Sequence, residues 1–242
     1  RILITHWHGD HVLGLPGLLQ TLALNNYNKT LYIYGPRGTK RFMDLMFKLF
    51  VFQGKIKYEI HECNAGKILE TKDFCIEAEK MFHGTPTLAY SFIEKEKLRI
   101  NKEKLKKLKI QGKIISELQK GKDITWNNKK IKAKDLTYMQ KGKKITIIMD
   151  TCINSSMLKI AKNSDLLIAE ATYAEKEANL AKEYKHLTAR QAAQTTKKSK
   201  SKKLILTHIS QRYENNEGVI LNEAKKIFKN TILAEDLMRV EV

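Results

Sequence analysis

Acidic residues, cysteine and long apolar runs are all scarce in this chain of 242 residues, and each shortage excludes something. No stretch reaches the roughly 18–20 consecutive apolar residues that a membrane-spanning helix needs, so no membrane association is expected. No basic segment leads into an apolar segment and a small-residue cleavage site, so no signal peptide is read. Cys63, Cys75 and Cys152 are odd in number, scattered and without a CxxC pair. That argues against a disulfide framework and for a reducing, cytoplasmic setting. Internal repeats are absent. Only 26 Asp and Glu stand against 45 Lys and Arg, a net charge of +19. The excess is uneven: residues 94–144 carry 18 basic and 6 acidic side chains. A polyanionic partner is the natural inference, since phosphates bind basic surfaces through long-range attraction and counterion release. A lysine-rich composition that merely solvates the surface would account for the total charge more readily than for the cluster. The 42% hydrophobic content suffices for one large core or two small ones.

Against this background the most informative segment is Thr5-His6-Trp7-His8-Gly9-Asp10-His11, directly after the apolar run Ile2-Leu3-Ile4. The run is short enough for a buried parallel strand, and Gly9 permits a tight turn after it. In extended chain His6 and His8 point the same way, while Asp10 and His11 can face elsewhere. The spacing suits two neighbouring metal ions, one held by His6 and His8, the other by Asp10 and His11. Imidazole with carboxylate and no thiolate favours zinc or a similar divalent ion. The alternative is a histidine-rich surface loop.

A pattern then recurs four times: an apolar run ends on a side chain suited to metal binding or proton transfer. Ile2-Leu3-Ile4 leads to His6, residues 145–149 to Asp150, residues 166–169 to Glu170, and Leu204-Ile205-Leu206 to Thr207-His208. In layered α/β folds polar site residues gather at strand ends, where loops aim them into one crevice. Helices are expected over residues 16–24, 38–52 (with a broad apolar face read as core), 176–185, from the capping box at Thr188-Ala189-Arg190-Gln191 onward, and over 222–229. Strands are expected at 31–34, 58–60 and 231–234. The basic segment 94–144 looks too poor in apolar residues for a core of its own and is read as a projecting arm.

Further candidates complete the site. His83 follows a strand-like segment in Met81-Phe82-His83-Gly84, and two imidazoles already need a third partner. Asp150, a carboxylate at a buried strand end, could bridge two cations. His208 would join Asp10 and His11. This gives three imidazoles to one ion, two imidazoles and Asp10 to the other, and Asp150 between them. Two ions about 3.5–4 Å apart can activate water and clamp both oxygens of a phosphoryl transfer. Glu170 and His186 form a further pair: a carboxylate hydrogen-bonded to an imidazole suits proton donation, although here only position and residue type speak for it. His61 and Cys152 are given no role.

The residues His6-x-His8-x-Asp10-His11 resemble the signature of the metallo-β-lactamase superfamily, and Gly14-Leu15-Pro16-Gly17-Leu18-Leu19 is similar to its ribonuclease Z family. The likeness continues through His83-Gly84-Thr85-Pro86 with Tyr90, Met149-Asp150-Thr151, Glu170-Ala171-Thr172, His186-Leu187-Thr188, residues 207–213 and Ala234-Glu235-Asp236-Leu237. It implies an α/β fold, the αββα four-layer sandwich. It also implies a homodimeric, zinc-dependent endoribonuclease with two Zn²⁺ per subunit that cuts precursor tRNA after the discriminator nucleotide and leaves a 3′-hydroxyl. Asp10 is then general base as well as ligand, Glu170 and His186 supply the proton, and Arg212 and Ser210 touch RNA. Segment 94–144 lies where the family inserts its tRNA-clamping arm, although Ile110-Gln111-Gly112-Lys113 stands where a Gly-Pro tip is expected. The family's N-terminal strands precede the histidine motif, so a single domain 1–242, N-terminally truncated, is expected. Alone it should fold poorly and be inactive. Competing readings are a dizinc hydrolase of a small ester or phosphodiester, and an inactive RNA-binding relative.

Overall fold

The run Ile2-Leu3-Ile4 is apolar on both faces because two layers need it. In this computed structural model, which describes residues 1–52 and 56–242, Ile2 and Ile4 pack under helices while Leu3 joins a second cluster on the other side. The run forms β1 (Ile2–Leu3), and α1 (Gly9–Val12), α2 (Leu15–Leu24), β2 (Leu31–Gly35), α3 (Thr39–Leu49) and β3 (Tyr58–Glu62) follow. Strands β1, β2 and β3 make a parallel sheet. Leu15, Leu19, Met43 and Met46 from α2 and α3 cover one face of it around Ile33. The expected broad core face on α3 is only partly core: Leu45 is 51% and Leu49 75% exposed. The tight turn expected at Gly9 is helical: Gly9 is the first residue of α1, and this helical turn carries Asp10 and His11.

Next come β4 (Gly66–Glu70), β5 (Phe74–Phe82) and β6 (Pro86–Glu94). An insert then runs through β7 (Lys97–Ile100), α4 (Lys102–Lys107), α5 (Ile114–Gln119), β8 (Ile124–Trp126), β9 (Lys129–Ile131), α6 (Ala133–Leu136) and β10 (Thr137–Gln140). The chain resumes with β11 (Lys144–Ile148), α7 (Ser155–Ala161), β12 (Leu166–Glu170), a 3₁₀ turn at Glu175–Glu177, and α8 (Ala178–Tyr184). It closes with α9 (Ala189–Lys198), β13 (Leu204–Thr207), a 3₁₀ turn at Gln211–Tyr213, α10 (Gly218–Lys225) and β14 (Thr231–Leu233).

The second sheet has the order β14-β13-β12-β11-β6-β5-β4, with β11 to β14 mutually parallel and β6 antiparallel to β11. Continuous apolar runs such as Leu166 to Ala169 suit strands covered on both faces. One face packs on α7, α9 and α10 through Met157, Ile160, Ala192, Ala193, Ile220 and Leu167. On the other face Ile76, Ala78, Leu88 and Tyr90 meet Leu3 of the first sheet. The Tyr90 hydroxyl donates to the Ile4 carbonyl at 2.7 Å, and Leu88 N–H to the Thr5 carbonyl at 2.9 Å. Helices, two sheets and helices thus stack in the expected four layers. No helix among the described residues is long and apolar enough to cross a membrane.

Two helix expectations need correction. The last helix spans Gly218–Lys225, not 222–229: complete burial of Ile220 and Ala224 places Asn222 inside it rather than at its cap. Residues 176–185 divide into a 3₁₀ turn and α8, which Lys185 ends in a left-handed conformation (φ 57°). The capping box at Thr188 and Gln191 is present with both of its hydrogen bonds.

Residues 94–143 form a unit of their own. The expectation that this segment lacks a core is wrong: Leu105, Ile110, Leu118, Ile124, Ala133 and Leu136 are buried together. These side chains are spread over four short elements and the loop at Ile110, so no local periodicity announces them. Trp126-Asn127-Asn128-Lys129 is a two-residue hairpin whose asparagines both take positive φ (49° and 60°). At the unit's base Glu94 N–H donates to the Lys143 carbonyl at 2.8 Å. A Cβ on Gly142 would lie 1.8 Å from the Glu94 carbonyl oxygen, so only glycine fits there.

Candidate metal centre

Five strand ends deliver the site. His6 and His8 follow β1, His83 follows β5, Asp150 follows β11, Glu170 ends β12, and His208 follows β13. Asp150 (φ 42°) and His208 (φ 55°) both sit in the left-handed region. Asp and His tolerate that region better than most residues, and the turn it makes redirects each side chain as soon as its strand stops.

Two four-residue groups result, His6-His8-His83-Asp150 and Asp10-His11-Asp150-His208, which share Asp150. In the first, His8 Nδ1 lies 3.1 Å from His83 Nε2, and Asp150 Oδ2 lies 3.4 Å from His6 Nε2 and 3.6 Å from His83 Nε2. In the second, Asp10 Oδ2 is 3.2 Å from both His11 Nε2 and His208 Nε2. Asp150 reaches His11 Nε2 at 3.2 Å through Oδ2 and His208 Nε2 at 3.5 Å through Oδ1.

The donors fit cations better than they fit each other. His6 Nε2, His11 Nε2 and Asp150 Oδ1 are buried with no hydrogen-bond partner among the described residues. Each such atom costs about 1–3 kcal/mol if nothing satisfies it. Zinc bonds of about 2.0–2.1 Å to N and O in a tetrahedron place neighbouring donors about 3.4 Å apart. The observed separations, 3.1 to 3.6 Å, bracket that spacing. Nitrogen and carboxylate donors without thiolate suit zinc and its borderline neighbours.

Electrostatics agree. Burial alone would push the Asp150 carboxyl up, but nearby His11 and His6, and then the charge of His208, hold it far below the usual carboxylate range. Burial likewise opposes ionisation of Asp10, but the neighbouring His208 and His11 rings and a backbone hydrogen bond together outweigh it and lower its pKa. Burial lowers His8 and His83, keeping them neutral and able to ligate. Proximity to Asp150 raises His11.

Beside these groups Glu170, fully buried, accepts four hydrogen bonds. Oε1 takes Thr151 N–H at 2.6 Å; Oε2 takes the Thr172 hydroxyl at 2.7 Å, His186 Nδ1 at 3.0 Å and Leu187 N–H at 3.1 Å. Burial disfavours protonated His186, yet its bond to Glu170 and the charge behind it raise its pKa overall. The His186 ring stacks near His208 at 5.4 Å and lies 5.0 Å from His83, which sets it at the edge of the metal groups. Ser210 and Arg212 follow β13. Ser210 caps the Gln211–Tyr213 turn, while Arg212 lies over the Tyr173 ring and 3.8 Å from Glu177. His61 pairs loosely with Glu59 and stacks on Tyr34, away from the centre.

The pattern of strand-end ligands meets close sequence relatives over its whole length. The chain is 38% identical over 246 residues to ribonuclease Z of Methanosarcina mazei, covering all of this chain and 80% of that protein. It is 39% identical over 247 residues to ribonuclease Z of Listeria welshimeri, covering all of this chain and 81% of that one. The chain belongs to the ribonuclease Z family. Among solved structures, human tRNase Z, short form, superposes with a TM-score of 0.66 at 26% identity, over 98% of this chain and 76% of that one. The metallo-β-lactamase fold protein YhfI of Bacillus subtilis, at 17% identity and a TM-score of 0.63 over 96% of this chain and 73% of its own, shares the fold. No protein-family model matches the chain. For this ribonuclease Z family member, the residue that sequence reasoning left without a role is Thr172. It lies two positions after Glu170, just past the end of β12, and that closeness in sequence is the signal for it.

Proposed function

We propose that the chain is a zinc-dependent endoribonuclease that removes the 3′ trailer from precursor tRNA. The observation that carries this is the pair of four-residue groups sharing Asp150 beside a Glu170–His186 dyad, in a ribonuclease Z family chain of charge +19. His6, His8, His83 and Asp150 would hold one ion, and Asp10, His11, Asp150 and His208 the other. Bound there, two ions supply Lewis-acid charge for the phosphoryl oxygens and lower the pKa of water. Asp10, 62% exposed at its side chain, takes a proton from the attacking water. The water oxygen bonds to phosphorus as the bond to the 3′-oxygen breaks, and His186 protonates that leaving oxygen. The products are a tRNA 3′-hydroxyl and a trailer with a 5′-phosphate.

Arg212, half-exposed, and Ser210 are placed to meet the backbone beside the scissile bond. Segment 94–144 is the tRNA-binding arm, gripping phosphates by charge and shape rather than by sequence. Incubating the full-length protein with precursor tRNA and mapping the new 3′ end tests the reading; products ending elsewhere than after the discriminator nucleotide would defeat it. Removing residues 94–143 should weaken tRNA binding on the order of 10²-fold at physiological salt and flatten its salt dependence. Cleavage of a small phosphodiester should change little. Equal losses on both substrates would sink the clamp.

The protein acts as a homodimer in the cytoplasm. An apolar groove of about 440 Å³ between Trp7, Leu13, Phe42, Leu45, Leu49 and Phe50 supports self-association, and the free thiols Cys63, Cys75 and Cys152 fit a reducing compartment.

A further inference from the structure

Thr172 is buried at the end of β12 and has one hydroxyl proton for two neighbours. Its Oγ1 lies 2.7 Å from Glu170 Oε2 and 3.0 Å from His208 Nδ1. An ionised carboxylate only accepts, so the hydroxyl proton goes to Glu170. The Thr172 oxygen must then accept from His208 Nδ1–H, which leaves His208 Nε2, 3.2 Å from Asp10 and 3.5 Å from Asp150, as the nitrogen that faces the ligand groups. The backbone holds this arrangement: Ser210 N–H donates to the Thr172 carbonyl at 3.1 Å, and Ala171 N–H to the Thr207 carbonyl at 2.9 Å, so the ends of β12 and β13 are clasped around the contact.

We propose that Thr172 is a positioning residue that couples His208 to the Glu170–His186 pair. One hydroxyl selects the His208 tautomer that can ligate and at the same time orients the carboxylate that holds His186. The placement of one ion's imidazole and of the proton donor are therefore not independent. The inference rests on the metal-centre reading given above. Glu170 Oε2 keeps two donors if the hydroxyl is lost, His186 Nδ1 and Leu187 N–H, whereas His208 Nδ1 is left without its partner.

The test compares wild type, Thr172→Val and Thr172→Ser in the full-length protein. Long-range ¹H–¹⁵N spectra of the metal-free protein should show His208 protonated on Nδ1 in wild type and in the serine variant, and a mixture of tautomers in the valine variant. Zinc retention against a chelator should weaken about 10–100-fold for one of the two ions in Thr172→Val, with kcat on precursor tRNA falling on the order of tenfold and KM nearly unchanged. Serine should restore both to within about threefold of wild type. Wild-type His208 protonated on Nε2 overturns the proposal even if the valine variant fails to fold. A valine variant with one tautomer and wild-type zinc retention also overturns it, as does failure of serine to rescue. Should wild type retain no zinc, the metal-centre reading fails separately, while the tautomer in the metal-free protein still decides the role of Thr172.

Discussion

Replacing Asp150 by alanine is expected to strip the protein of bound metal and lower precursor-tRNA cleavage by at least about 10³-fold, as the loss of several kcal/mol of ionic stabilisation requires. Asp150 is the one carboxylate common to both groups, with imidazole nitrogens of His6, His11, His83 and His208 between 3.2 and 3.6 Å from its oxygens. Without it the first group is three imidazoles with no carboxylate, and the second keeps only Asp10 as its carboxylate. Asparagine is the companion variant: it tolerates the positive φ at this position, keeps the shape and removes the charge. Elemental analysis after gel filtration should find less than one ion per subunit in both variants. Two retained ions in Asp150→Ala would show that the carboxylate does not bridge.

His186→Ala should behave differently. Its imidazole lies outside both four-residue groups that share Asp150, so metal content should stay at the wild-type level. Loss of a positioned proton donor typically lowers the rate about 10²–10⁴-fold, and kcat should fall in that range with tRNA binding little changed. Glu170→Gln is the less clean companion, because a side-chain amide would bring a donor into a buried spot where four donors already converge. That variant should lose stability along with activity. If His186→Ala instead lost an ion, the imidazole would be acting as a ligand through the third grouping, Glu170-His186-His208.

How much of this could be read in advance follows from where each side chain gets its meaning. His6, His8, Asp10, His11, His83, Asp150 and His208 each lie in or directly after a local pattern, an apolar run followed by a polar residue, so the sequence points to them singly. Their assembly into two groups depends on the parallel order of β11, β12 and β13, which puts equivalent strand ends side by side. Thr172 stayed silent because a hydroxyl acquires a role only from its neighbours in space. The core of residues 94–143 was missed for a related reason: Leu105, Leu118 and Leu136 belong to three different short helices. Charged or polar side chains flank each of them in the sequence, and local composition therefore reads as surface. The exposed Leu45 and Leu49 mislead in the opposite sense, since an amphipathic pattern does not say whether its partner is the same chain.

Glu170 ties together backbone and side chains from the ends of β11 and β12 and from the loop before α9. The strand ends that carry Asp150 and Glu170 are thereby tied to each other by protein hydrogen bonds alone. A core substitution far from the centre that loosens the register of β11, β12 or β13 would blur the donor positions before it unfolded the domain. Metal occupancy would then serve as an early gauge of fold integrity, falling in weakened variants while their secondary structure still looked intact.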